Sequence, residues 1–331
     1  MQKLINAPEA FVDEVLEGMI LAHSQELARV GSRGIVRADA PIRGKVAIAT
    51  GGGSGHLPLF SGYVGRGLAD GAAIGEVFAS PTAEDMLSVM QAIDGGAGVL
   101  QLFGNYGGDV MNFGLAADLA QADGMEVITI RGADDVASAP RGEEGRRRGI
   151  AGIVFLYKIA GAAADAGASL AEVKSVTDRA AANLRSMGVA LAPCIVPAAG
   201  RPTFELPDGA MEIGMGIHGE PGVRRESLRE ADEIVDELIG TILDDLPMQR
   251  GESVDVLING LGATPIEELY VLYREAAARL GADGLLIRRG WVGEYVTSLE
   301  MAGASISLLR VDDELVRLLD APASAPLFRR L

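Results

Sequence analysis

The chain of 331 residues carries three histidines, and two of them stand in glycine-dense runs. His56 closes Gly51-Gly52-Gly53-Ser54-Gly55-His56, and His218 lies in Gly214-Met215-Gly216-Ile217-His218-Gly219-Glu220-Pro221-Gly222. The third, His23, falls in an amphipathic helical pattern. Imidazole titrates near neutrality, so it serves as acid, base or nucleophile. Glycine lets a backbone turn sharply and approach a small ligand closely. A further run, Gly104-Asn105-Tyr106-Gly107-Gly108-Asp109, adds a carboxylate. Together these runs point to one polar site built on His56, Asp109 and His218.

The residue types leave several chemistries open. A glycine run after a strand is able to cradle phosphate, yet Gly51 to Gly55 is neither a P-loop nor a clean dinucleotide fingerprint. No lysine follows it before Lys158. His56, His218 and Asp109 are ligand types of a metal site, but without the usual close pair on one helix. Ser54 as a hydrolase nucleophile misses the G-x-S-x-G elbow by placement. The remaining reading is a nucleophilic histidine with an acid/base pair acting on a small polar substrate. For each run taken alone, a purely structural turn is the alternative.

The elements that must position these residues follow from periodicity. Apolar positions at Phe11, Val15 and Met19 predict an opening helix over residues 8–28. Strands are predicted at 45–50, 98–103 and 126–130. Helices follow at 81–93, headed by Ser80 or Thr82, and at 110–122. Strand, glycine loop and helix in repetition mean an α/β fold with a parallel sheet, whose sites collect at the carboxyl ends of its strands. That places His56 and Asp109 where they face each other. Helices are predicted at 153–165 and 170–187. Pro193, Pro197, Pro202 and Pro207 then mark a crossing into a second lobe. Beyond it come strands at 211–217, 254–259, 284–287 and 305–309, helices over 228–243 and from 265 to 280, and a short last helix from Asp312 or Asp313.

Composition narrows the class. Hydrophobic residues make up 48% and aromatics 5%, which suits a compact α/β enzyme. A net charge of −17 disfavours nonspecific binding to nucleic acid or an anionic membrane. Cys194 is the only cysteine, the start lacks a signal-peptide core, and the apolar stretch 150–164 is too short to span a bilayer. The expectation is a cytoplasmic protein.

Further residues bring a resemblance. The His56 and His218 runs, Asn105-Tyr106-Gly107-Gly108-Asp109, Val196-Pro197-Ala198-Ala199-Gly200 and Leu261-Gly262-Ala263-Thr264-Pro265 resemble the dihydroxyacetone kinase substrate-binding subunit family. So do Arg37-Ala38-Asp39-Ala40-Pro41 and Val311-Asp312-Asp313-Glu314. These motifs keep the family's order over nearly the whole chain.

The resemblance implies a three-layer α/β lobe over residues 1–183 and a smaller α+β lobe over 184–331, with the site between them, and a homodimer. It implies that His218 adds to a ketone to form a covalent hemiaminal, which selects ketoses over polyols. Asp109 and His56 are then the acid/base candidates, and Gly53, Ser54, Gly55, Ser80 and Gly104 join Asp109 and His218 around the substrate. No cofactor is expected on this chain. ATP or ADP with magnesium belongs to a partner nucleotide-binding kinase subunit, because the chain stops at Leu331 without a fused second domain. The rival role is a ketose-sensing coactivator of a transcription regulator. Two departures stand out: Gly104 where many members have lysine, and Leu57 where many have glutamate. The room at Gly104 suggests a four-carbon ketose such as erythrulose.

Overall fold

The computed structural model describes residues 2–331. In chain order it begins α1 (Phe11–Ala22), β1 (Leu27–Val30), β2 (Gly34–Arg37), β3 (Ala47–Ser54), β4 (Gly71–Val77), α2 (Ala83–Ile93), β5 (Val99–Gly104), α3 (Gly107–Ala122) and β6 (Val127–Gly132). It continues α4 (Ile153–Asp165), α5 (Leu170–Ala182), β7 (Leu184–Ala192), β8 (Ala210–Ile213), β9 (Arg224–Ser227) and α6 (Ala231–Asp245). The rest is β10 (Ser253–Gly260), α7 (Ile266–Ala282), β11 (Leu286–Gly293), β12 (Ala302–Val311), α8 (Asp313–Asp320), β13 (Ala323–Ala325) and β14 (Phe328–Arg330).

The chain forms two compact units, and they interleave in sequence. The first takes the chain up to Gly132, then Phe155–Arg179 and Leu315–Leu331; the second takes Ala133–Val154 and Ala180–Glu314. A single division at residues 183 and 184 does not describe them. Two local bonds show why. Asp134 accepts hydrogen bonds from the Ile150 and Gly152 amides and belongs with the second sheet, whose Ser186 amide bonds the Asp134 carbonyl. At the other end, the buried Lys158 of α4 donates to the Leu318 carbonyl at 2.7 Å and ties α8 to the first unit. Burial pushes that ammonium down to about 8.

The first sheet has the order β1-β2-β4-β3-β5-β6. Strands β4, β3, β5 and β6 run parallel, while β1 and β2 make an antiparallel edge. Side chains alternate across a strand, which explains the layers. Ala47, Ala49, Val99 and Phe103 face Met86, Val89 and Met90 of α2 and Phe113 and Ala116 of α3. Thr50, on the other side of β3, bonds the Tyr157 hydroxyl of α4 at 2.7 Å. The lobe is therefore a three-layer α/β structure.

The second sheet, β11-β10-β12-β7-β8-β9, pairs β10 with β11 in parallel and its other strands antiparallel. Ile234, Leu238 and Ile242 of α6 and Leu269, Ala276 and Leu280 of α7 cover it with Val254, Val256 and Ile258. This is the expected α+β arrangement.

Several boundaries differ from the periodicity. The opening helix ends at Ala22, because Leu27–Val30 leaves it to pair with Gly34–Arg37. The helix expected over 170–187 ends at Ala182, and β7 takes over as a central strand between β12 and β8. Strand β4, Gly-Ala-Ala-Ile-Gly-Glu-Val, has only Ile74 and Val77 as β-branched residues among glycine and alanine; pairing with β2 and β3 reveals it.

Phe113 is fully buried and meets Phe103 edge-on at 4.5 Å, while its carbonyl accepts from Gln101. Phe113→Ala is expected to lower unfolding free energy by about 3–5 kcal/mol, measured by chemical denaturation.

Candidate functional site

The glycine run before His56 is a strand rather than a loop. Gly51, Gly52 and Gly53 pair with Ala73, Ile74 and Gly75 of β4. Each would collide if it carried a Cβ: Gly51 with the Ala73 carbonyl at 2.4 Å, Gly52 with the Phe60 ring at 2.2 Å, Gly53 with the Ala79 amide at 2.6 Å. The chain turns only at Gly55, where φ is +101°. His56 follows, 2% exposed, stacked on Phe78 at 4.9 Å and edge-on to Phe60 at 6.5 Å. Both phenylalanines hold positive φ, 66° and 58°, a strained backbone that the packing around the histidine must maintain.

Asp109 also sits differently from the expected loop. Helix α3 begins at Gly107, so Asp109 lies in its first turn, 5% exposed. A carboxylate there is favoured by the helix dipole. At Gly108 a Cβ would lie 2.5 Å from Ser80 Oγ, so a larger residue there would displace the serine hydroxyl. Burial, with the charge of Asp109 nearby, pushes the Tyr157 hydroxyl well above its ordinary range, so it stays protonated against Thr50.

The exits of β4, β3 and β5, which are neighbours in the sheet, thus gather Gly53, Ser54, Gly55, His56, Ser80, Gly104 and Asp109. Contacts of Phe78 with His56 and of Gly108 with Ser80 link the three exits. Gly104 ends β5 and is buried. Ser54 Oγ is a buried hydroxyl without a hydrogen-bond partner, and His56 Nε2 and Asp109 Oδ1 retain hydrogen-bonding capacity while their side chains are otherwise engaged. Such polar atoms suit a small ligand rich in hydroxyls.

His218 belongs to the second unit, in the turn after β8. Glu220 grips it twice: Oε2 accepts from the His218 amide at 3.0 Å, and Oε1 pairs with Nδ1 at 2.8 Å. A carboxylate facing Nδ1 keeps the proton on that nitrogen and the lone pair on Nε2. Glu220 is held down to about 2: burial pushes it up, and the hydrogen bond and charge of His218, with Arg148, outweigh that. Gly216 makes room, since a Cβ there would lie 2.1 Å from Glu220 Oε2 and 2.5 Å from Arg148 Nη1.

Arg148 escaped the sequence reading. The only signal was a run of three arginines, Arg146-Arg147-Arg148, in an acidic chain. Arg147 is wholly buried and forks onto Asp245. Arg148 bonds Asp135, whose carboxyl burial pushes up to about 6 against the pull of that arginine. Among the described residues no three His, Cys, Asp or Glu come together as metal ligands, and no helix is long and apolar enough to cross a membrane.

Residues 17–327 match the Dak1 domain. The chain belongs to the Dak1 domain family. It is 45% identical over 334 residues to the L-erythrulose kinase of Pectobacterium atrosepticum, covering all of this chain but 56% of that protein. It is 43% identical to the dihydroxyacetone-binding subunit DhaK of the PTS-dependent dihydroxyacetone kinase 2 of Listeria innocua, with 99% of each covered. The chain thus spans about half the length of the erythrulose kinase and nearly all of the Listeria subunit.

Two solved Dak1-type structures superpose closely. The dihydroxyacetone kinase operon co-activator Dha-DhaQ gives a TM-score of 0.90 at 30% identity, covering 96% of this chain and 98% of that one. The dihydroxyacetone kinase of C. freundii, solved with AMP-PNP and Mg2+, gives 0.88 at 34%, covering 99% of this chain and 61% of that one.

Because Glu220 is depressed from its ordinary 4.5 to about 2, the stability it contributes is present above pH 4.5 and lost as pH falls towards 2. Near neutral pH, Glu220→Gln is expected to lower stability by about 1–3 kcal/mol. Denaturation curves across that window should show the difference shrink to nothing at its acid end.

Proposed function

We propose that this chain is the substrate-binding subunit of a short-chain ketose kinase. The observation that carries the reading is the grip of Glu220 on Nδ1 of His218, which leaves Nε2 as the nucleophilic nitrogen. Nε2 adds to the ketone carbon, and the carbonyl π pair moves to oxygen, which takes up a proton. The ring, bonded at Nε2 and still protonated at Nδ1, is an imidazolium facing the Glu220 carboxylate. Loss of the Nδ1 proton gives the neutral hemiaminal. A polyol has no carbonyl to accept this attack, so ketoses are selected.

Asp109 and His56 are the candidates to take the proton from the hydroxyl that is phosphorylated. Gly53, Ser54, Gly55, Ser80 and Gly104 surround the remaining oxygens. Phosphoryl transfer needs a nucleotide and magnesium at that hydroxyl. We assign both to a partner nucleotide-binding subunit, in keeping with the longer C. freundii kinase that was solved with AMP-PNP and Mg2+. The substrate we favour is a four-carbon ketose. Gly104 brings no side chain to the end of β5, and a relative named L-erythrulose kinase is 45% identical. A homodimer in the cytoplasm completes the reading, on the resemblance and the single cysteine. The likeness to the co-activator supports a second role, ketose sensing without turnover.

Calorimetric titration with dihydroxyacetone and with erythrulose tests the site. Binding is expected for the native protein, tighter for erythrulose, and absent in His218→Ala. Tighter binding of dihydroxyacetone would remove the role given to Gly104. In an assay reconstituted with a nucleotide-binding kinase subunit, Asp109→Asn should bind ketose yet turn over about 10²–10⁴-fold more slowly. No turnover by the native protein with any such subunit, with binding intact, would select the sensor.

A further inference from the structure

Behind His218 stands a chain of charged groups that the hemiaminal chemistry does not itself require. Asp135 is 1% exposed; its Oδ2 accepts from Arg148 Nε at 2.8 Å and lies 2.7 Å from Nη2 as an ion pair. Its other oxygen, Oδ1, accepts from the Ala137 amide at 3.1 Å, so the carboxylate is fixed. Arg148 Nη2 also donates to the Gly214 carbonyl at 3.0 Å, at the entrance to the His218 turn. Its Nη1 lies 4.0 Å from Glu220 Oε2, the same oxygen that accepts the His218 amide. The main chain is locked as well: the Asp135 amide bonds the Arg148 carbonyl at 3.1 Å, and the Arg148 amide bonds Ser138 Oγ at 3.0 Å.

We propose that Arg148, anchored on Asp135, is a positioning residue that orients Glu220 and thereby holds His218 with its proton on Nδ1 and its lone pair on Nε2. The inference rests on the ketose-binding reading above. Its physical basis is the division of a planar guanidinium between two hydrogen-bond acceptors and one more distant carboxylate. One edge is fixed by the buried Asp135, one nitrogen reaches the Gly214 carbonyl that sets the turn, and the remaining nitrogen faces Glu220. Glu220 sits on a short loop between Gly219 and Pro221, and His218 and Arg148 are the cations that hold its carboxyl down. Without the arginine, Glu220 loses the cation that fixes its direction, and the imidazole proton is free to occupy either nitrogen. Lysine keeps the charge but cannot fork between Asp135, Gly214 and Glu220.

The experiment uses the full chain labelled with 15N at histidine, and a ketose labelled with 13C at the carbonyl. The ring-nitrogen shifts of His218, assigned by their loss in His218→Ala, report the tautomer. Conversion of the carbonyl signal to a tetrahedral carbon reports the adduct. In the native protein Nδ1 should be protonated and the adduct should form. Arg148→Ala should mix the two tautomers and weaken adduct formation about ten- to a hundredfold, and Arg148→Lys should fall between. If Arg148→Ala does not fold, Arg148→Lys decides alone. Unchanged nitrogen shifts and unchanged adduct affinity in the folded variant would overturn the positioning role while leaving ketose binding intact. No tetrahedral signal in the native protein would instead remove the ketose-binding reading on which the inference stands.

Discussion

The first unit depends on how closely the glycine half of β3 and the start of α3 pack against β4 and the segments that follow it. At Gly51, Gly52, Gly53 and Gly108 a single methyl group would overlap a carbonyl, a ring, an amide or a hydroxyl. Close packing of this kind has no slack, so the backbone itself forms the floor on which His56 and Asp109 are set. The two phenylalanines in positive φ are part of the same construction. They pack on His56 and fill the space that the glycines vacate, at a conformational cost offset by burial.

The second unit solves a different problem. A histidine that is to act as a nucleophile must present one nitrogen bare and keep its proton on the other. Glu220, two residues on, does this locally through both the amide and the ring of His218. A carboxylate beside this ring is useful only while it remains ionised, and Arg148, held by Asp135, supplies the cation beside it. The acidic segment after β6 is interior: Asp134 and Asp135 are both nearly inaccessible to solvent. Removing one member of such a buried pair leaves an uncompensated charge, so these groups stand or fall together.

Much of the architecture was legible because it is local. The apolar periodicity of α2, α4, α6 and α7 gave their existence, and α4 its ends, and the runs at β5, β6, β10 and β12 read as strands. The failures have a common cause. Strand β4 and the glycine half of β3 contain residues with little strand preference of their own, and they are strands because their neighbours pair with them. The start of α3 moved back to Gly107 for a similar reason: two glycines discourage a helix locally, yet Ser80 packs where a side chain would have stood.

By itself the sequence determined which residue types were available for chemistry, the two histidine runs and the carboxylate of Asp109, and the α/β alternation that sends strand ends to one edge. Those properties reside in residue identity and short-range spacing. Only the tertiary structure decided that His56 is buried between two aromatic rings, that Asp109 heads a helix, and that Arg148 stands behind Glu220. Arg148 lies seventy-odd positions from Glu220 and thirteen from Asp135, so no periodicity relates them; folding brings them together because the buried Asp135 carboxylate must find a cation.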